Sequence, residues 1–262
     1  MPLKYGHSDY VEMQDSVERS LPGRIVEDTV IGKWALKVSK AANDVIVKGC
    51  DYTLMDSSVF VTLAYEANPV VAGLEIRTKD LMGTEGEYLM HWGGNVEWES
   101  DSALYLGFGC YHPDSDFGWD LLYRMRPNGV ADLFVVETEL GVEGYCELSR
   151  FMTLYLCERE AGVSVSGMKP LFDRYCAENV VSDLLSGDIV MELPDMDFRY
   201  ANEKMSIMNL DEDLPDTDGH FLYKVRFGSV KNGGDEQDAV FFDIIDKGNK
   251  IVRIWKENDN EL

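Results

Sequence analysis

The chain of 262 residues is short of basic side chains, of histidines and of any long apolar run. It carries 24 Lys plus Arg against 48 Asp plus Glu, a formal net charge of −24. A field of that sign repels phosphate, which argues against sequence-independent nucleic-acid binding and against anionic membrane surfaces. A basic protein partner, a cation or a neutral ligand is compatible with it. No run of about 18 apolar residues occurs, so no membrane-crossing helix is expected. The first twenty residues have no apolar h-region, so no secretory signal is expected. Cys50, Cys110, Cys146, Cys157 and Cys176 are odd in number, scattered and without a CxxC pair. That usage fits reduced thiols in a cytoplasmic compartment better than a disulfide framework.

Familiar catalytic signatures are missing as well. The four histidines, His7, His91, His112 and His220, form no HExxH pattern. GVSVSG, at 162–167, misses the GxSxG nucleophile elbow because Ser166 stands where the second glycine belongs. Gly107-Phe108-Gly109 lacks the third glycine of a dinucleotide loop, and no Walker A loop is present. The reading therefore leans away from an enzyme and expects no cofactor.

What is present is a globular composition, with 45% hydrophobic and 11% aromatic residues. From Ile25 to Tyr145 short apolar stretches recur between Gly, Pro, Asn and Asp. WALKVS, DVIVKGC, SVFVTLAYEA, GLEIRTK, GEYLMHW, ALYLGFGCY, WDLLYRMR and VADLFVVETE read as antiparallel strands. Asn128-Gly129, Gly93-Gly94-Asn95 and Asn232-Gly233-Gly234 read as turns. CELSRFMTLYLCEREAG has Leu148, Phe151, Met152 and Tyr155 at helical spacing. KPLFDRYCAENVVSDLLSG reads as one amphipathic helix with Gly187 as its stop. DIVMEL, FLYKVRFGSV, AVFFDIID and KIVRIWK follow as strands, with a turn at Asp246 to Asn249. The expected class is α+β, dominated by antiparallel sheet in a meander or partly closed barrel and followed by a smaller helix-plus-curved-sheet domain. The expected domains are 1–162 and 168–262, with GVSVSG as the linker.

Two stretches are rich in chemistry. CYHPDSDFGWD offers Cys110, His112, Asp114, Asp116 and Asp120. Alternate positions of a strand share a face, so a zinc site is conceivable there. Pro113 and the Asp, Ser and Gly around it are ordinary turn formers, and a turn without metal is the plainer expectation. The second stretch, LDEDLPDTDGH, holds Asp211, Glu212, Asp213, Asp216 and Asp218. Leu214 and Val225 stand where a calcium loop needs its first and last ligands, so a solvated acidic loop is expected, with partner binding as its use.

Gly32-Lys33-Trp34 resembles the Gly-x-Trp opening of lipocalin-type barrels. Residues 168–256 resemble NTF2-like (SnoaL-type) domains in the helix KPLFDRYCAENVVSDLL, the following DIVMELPD and the closing AVFFDIIDKGNKIVRIW. The latter resemblance implies a curved sheet around helices and an apolar pocket, which some members use as isomerases or dehydratases. The leading functional expectation is a non-enzymatic acidic protein of inhibitor or toxin-neutralising type that recognises a basic protein partner. The alternative is a small apolar-ligand pocket protein or an NTF2-like enzyme.

Overall fold

The computed structural model describes residues 23–92, 96–115, 118–137, 145–189, 191, 205–210, 219–227, 240–245 and 250–256. The fold is α+β and dominated by antiparallel sheet. The chain gathers into two compact units, residues 1–140 and 141–262. The 162–167 segment expected as a linker lies inside the second unit.

In the first unit β1 (Arg24–Ile31), β2 (Trp34–Lys48), β3 (Thr53–Tyr65) and β4 (Asn68–Ile76) form a four-stranded meander. A second sheet holds β5 (Leu89–His91), β6 (Val96–Glu99), β7 (Leu104–Tyr111), β8 (Gly118–Met125) and β9 (Ala131–Glu137). Its order is β5-β7-β8-β9, with β6 also paired to β7. Alternation decides the faces. Trp34, Leu36 and Val38 of β2 and Val59, Val61 and Leu63 of β3 point into a core shared with Leu104, Leu106, Phe108 and Cys110 of β7. Each large apolar side chain buried there contributes about 1.5–3 kcal/mol. Trp34 also donates its indole N–H to the Ser100 carbonyl at 2.7 Å and packs on Tyr65. A short helix, α1 (Thr78–Met82), follows β4; the Arg77 N–H ahead of it is held by the Asp80 carboxylate at 2.8 Å.

WALKVS and DVIVKGC turn out to be one strand, β2, carried through Ala42–Ile46 by a register shift. The Asn43-Asp44 that reads as a break is a bulge, because the Asn43 side chain turns inward to Ser58. Asn128-Gly129 does close the β8–β9 hairpin, with Gly129 at φ +80° as the turn requires. Gly93-Gly94-Asn95, Asn232-Gly233-Gly234 and the Asp246–Asn249 turn lie outside the described residues.

The second unit contains α2 (Tyr145–Glu160), α3 (Lys169–Tyr175), α4 (Glu178–Ser186) and a sheet of β10 (Met205–Asn209), β11 (His220–Phe227), β12 (Val240–Ile245) and β13 (Lys250–Lys256) in sequential order. Helix α2 is buried at Leu148 and Ser149 and then on every side from Phe151 to Glu158, Thr153 included. Phe151 and Tyr155 of α2, Phe172 and Tyr175 of α3 and Phe242 of β12 form a connected ring cluster, with neighbouring centroids 5.8 to 6.5 Å apart. Of the expected strand DIVMEL, Asp188, Ile189 and Met191 are described and are not in a strand; Val190, Glu192 and Leu193 lie outside the described residues.

The single amphipathic helix expected from KPLFDRYCAENVVSDLLSG is two helices. Cys176 and Ala177 are extended, at ψ 155° and 157°, and Cys176 bridges to Ile251 of β13. The Ala177 N–H donates to the Ile251 carbonyl at 2.8 Å. Lys250 donates its ammonium to the Asp173 and Arg174 carbonyls at the end of α3. Backbone groups that would have continued the helix bond β13 instead, so tertiary pairing overrides a pattern that keeps helical spacing across the break.

The β3–β4 turn is strained. Glu66 and Ala67 both have positive φ, 47° and 64°, where Asn-Gly is the favoured pair. A side-chain Cβ in that region costs about 1–2 kcal/mol. Replacing Ala67 with glycine is expected to raise unfolding stability by about 1 kcal/mol, read as a higher urea midpoint with an unchanged slope. An unchanged or lower midpoint would show that the turn is relaxed.

Candidate functional site

The structure separates the four described residues of the five singled out in the 110–120 run. The Cys110 side chain is fully buried in the first-unit core, and its thiol pKa is pushed far above the ordinary range by burial and then by the neighbouring Asp56 carboxylate. His112 is exposed on the turn; its Nδ1 donates to the Pro113 carbonyl at 2.7 Å, and its ring meets the edge of Tyr88. Asp114 turns toward the β2–β3 connection. Asp120 stands opposite Gly109 in the β7–β8 register, one position off Cys110 and therefore on the other face of the sheet. Asp116 lies outside the described residues. Among the described residues no three His, Cys, Asp or Glu side chains come together as a metal set.

What the turn does carry is a clip between two loops. Asp114, with φ +61°, accepts the Cys50 backbone N–H and the Tyr52 hydroxyl. Those two bonds hold its carboxyl below the usual carboxylate range. The Cys50 thiol is raised in turn, first by its hydrogen bond to Asp114 and then by the charge of that carboxylate. An exposed thiol kept protonated in this way is a poor nucleophile. Cys50 and Tyr52 lie some sixty positions from Asp114, so no local motif joins them.

A second constellation was not singled out from the sequence. Asp56, 1% exposed, accepts the Met90 N–H of β5 at 3.0 Å, the Thr78 hydroxyl of α1, the Ser57 N–H and the Asn43 amide. Ser57 adds a hydroxyl bond to the Met90 carbonyl at 3.4 Å. Burial pushes the Asp56 carboxyl pKa up, and the four hydrogen bonds oppose that shift without cancelling it. A lone Asp inside the apolar run that begins at Thr53 is the signal that could have flagged it. Its donors come from four elements, and the group ties β3, β5, α1 and the β2 bulge into one knot. The arrangement can store a proton, but every bond it makes is to the protein's own framework.

The second sheet holds further buried charge. Arg124 donates from Nε at 3.1 Å and Nη2 at 2.7 Å to Asp132 Oδ2, which also meets Arg126 Nη2 at 3.0 Å. The Arg124 guanidinium lies over the Phe134 ring. Gly109, in the GFG run, leaves room for the Tyr111 side chain, whose hydroxyl would lie 2.5 Å and ring 2.7 Å from a Cβ placed there. That close approach is a structural use for a glycine pattern that suggested a nucleotide loop.

In the second unit His220 Nδ1 donates to Asp243 Oδ1 at 2.7 Å across β11 and β12. Both are half-buried, and the strand parity puts them opposite the buried Phe221, Tyr223 and Phe242 face. Asp211, Glu212, Asp213, Asp216 and Asp218 lie outside the described residues. Acidic clusters within the described residues sit elsewhere. Lys33, whose pKa is raised chiefly by hydrogen bonds to Asp101 and Glu66, joins two turns at one end of the first unit. Arg77 is flanked by Glu75 at 2.8 Å, Glu85 at 3.9 Å and Asp44 at 4.0 Å.

Two outcomes are expected from these sites. Asp114→Asn removes the charge that holds the Cys50 thiol protonated, so Cys50 should react with iodoacetamide several-fold faster at pH 8. An unchanged rate would show that the clip does not govern the thiol. For Asp56 the pKa is raised on folding, so the folded state binds more protons between the ordinary Asp value, about 4, and the raised one. Stability is therefore fullest below the ordinary value and is lost as pH rises through the raised one. Asp56→Asn should not show this loss, so its urea stability relative to the native chain should climb across that window. Asp56→Ala strands buried donors and should cost about 2–4 kcal/mol at any pH. A flat difference between Asp56→Asn and the native chain from pH 3 to pH 8 would refute the assignment.

No family model, curated protein or solved structure matches the chain.

Proposed function

We propose that this chain is a binding protein that recognises a basic protein partner through its acidic surface. The observation that carries the reading is the twofold excess of acid over base, 48 against 24. Where the structure describes acidic side chains, many stand outward: Asp44 is 91% exposed and Asp101 74%, and Asp28, Glu66 and Asp173 are also exposed. Exposed ion pairs such as Lys37–Asp28 at 3.9 Å contribute little, so they leave that field largely intact. A field of this kind speeds the encounter with a positive partner and rejects negative ones, and does so more than it adds affinity. The described constellations support a binding role in a second way. The clip at Asp114 and the knot at Asp56 are spent on the protein's own loops and strands.

The alternative is an apolar-ligand pocket protein or an NTF2-like isomerase or dehydratase. In its favour is the four-stranded sheet beside helices in the second unit, though the His220–Asp243 pair lies on the sheet face away from the ring cluster. It stands second because aromatic rings occupy the described part of the face where such a pocket would open.

The acidic loop supplies the test. Asp211, Glu212, Asp213, Asp216 and Asp218 are replaced together by Lys, and association with a basic protein captured at low salt is followed by stopped flow. The on-rate should fall about tenfold or more at low salt, and the difference should shrink as salt is added. An on-rate indifferent to both the substitution and the salt would remove the reading.

A further inference from the structure

The two edges of the first sheet are built differently. Strand β4 carries Pro69, two register irregularities against β3 and the Gly73 N–H turned onto Thr62 Oγ1 at 3.0 Å. Those are devices that keep a strand edge from pairing with another chain. Strand β1 has one register shift, at Ile25/Glu27, then runs unbroken and without proline from Glu27 to Ile31. Among the described residues no strand lies on its outer side.

The β1–β2 hairpin is closed by the Ile31–Trp34 pair across the two-residue turn Gly32-Lys33. The closing pair of such a hairpin exchanges both backbone bonds, and the pattern then alternates. The peptide groups of Val30 and Asp28 therefore point away from β2, toward the open edge. Register places Ile25, Asp28 and Val30 on the face opposite the core, where Ile25 is 52% and Val30 is 73% exposed. The edge presents an apolar–acidic–apolar row beside open backbone donors and acceptors.

A second copy of the chain is a poor occupant. An antiparallel β1–β1 pairing centred on Asp28, whose peptide groups face the edge, would set Asp28 of one copy against Asp28 of the other, and each copy carries a charge of −24. Like charges directly opposite are destabilising. We infer that β1 is a docking edge for an extended segment of the basic partner, which adds a fifth strand and places Lys or Arg, flanked by apolar residues, against Asp28. This rests on the binding function proposed above and names its mode: main-chain bonds hold the segment, and the alternating side chains select it.

The probe is a blocked octapeptide, Thr-Val-Thr-Lys-Thr-Val-Thr-Lys, followed by fluorescence anisotropy and amide exchange on the full chain at low salt. Binding should slow exchange of the Asp28 and Val30 amides about tenfold, a 1.4 kcal/mol protection. A peptide with Glu for Lys should not bind. Nor should one with proline at the central Thr, which keeps the charge and loses a backbone donor. Asp28→Asn, which sets no like charge against Lys37 across β1 and β2, should weaken binding of the Lys peptide several-fold while leaving the urea midpoint unchanged. If the proline peptide binds as well as the parent, or the amides stay unprotected, the acidic surface is catching charge elsewhere; the edge inference fails and the basic-partner reading stands. No binding of either Lys peptide overturns the edge inference, while the loop-reversal experiment still decides the parent reading.

Discussion

A carboxylate buried among apolar side chains has to be met by donors, and in the first unit that requirement decides where several elements lie. Leaving Asp56 unmatched would cost several kcal/mol, more than a domain can lose lightly. Four elements therefore supply donors to it. Strand β5 is only three residues long, yet its Met90 gives its N–H to Asp56 and accepts the Ser57 hydroxyl. Helix α1 is only five residues long and owes its place partly to Thr78. Neither element is long enough to be stable by its own backbone bonds. Asn43 joins the same knot, and that accounts for a polar pair inside a fifteen-residue strand.

The second unit obeys the same rule with backbone in place of a side chain. Between Tyr175 and Glu178 the chain leaves the helical conformation and gives its peptide groups to β13. Lys250, at the start of that strand, donates to the carbonyls that α3 leaves open. The break is thus filled from the sheet side, and α3, α4 and β13 hold one another at a single point. The ring cluster of Phe151, Phe172, Tyr175 and Phe242 then closes over it.

Strands were legible wherever one face is buried and the other is wet, because Leu36, Val38, Val61 and Leu63 alternate with polar neighbours. Strand β1 was not, since an edge strand has little to bury and RIVEDTVI shows no clean alternation. Strand β6 is four residues, too short for a period to show. The helix break was hidden because Tyr175, Cys176, Val180 and Leu184 keep helical spacing across it, and the force that opens it comes from residue 251. Sites were harder still. Asp114 reads as a turn residue and is one, yet its partners Cys50 and Tyr52 belong to another hairpin. Asp56 carries no motif at all; only its place within a buried strand marks it.

Charge in this molecule divides by location. Among the buried charges, Arg124 is matched by Asp132 and Asp56 by four donors. Matching is forced there, because low dielectric makes an unpaired charge costly. Outside, no such force acts, and the surplus of acid persists against a constant self-repulsion that lowers the stability of the compact state. Solubility alone needs a far smaller surplus than −24. Attraction of a positive partner, as proposed above, is an effect that grows with that surplus. The same excess protects the open β1 edge. Edge strands normally carry a hazard of pairing with copies of themselves, and Asp28, on the edge-facing register of β1, sets copy against copy while leaving the proposed basic strand free to dock.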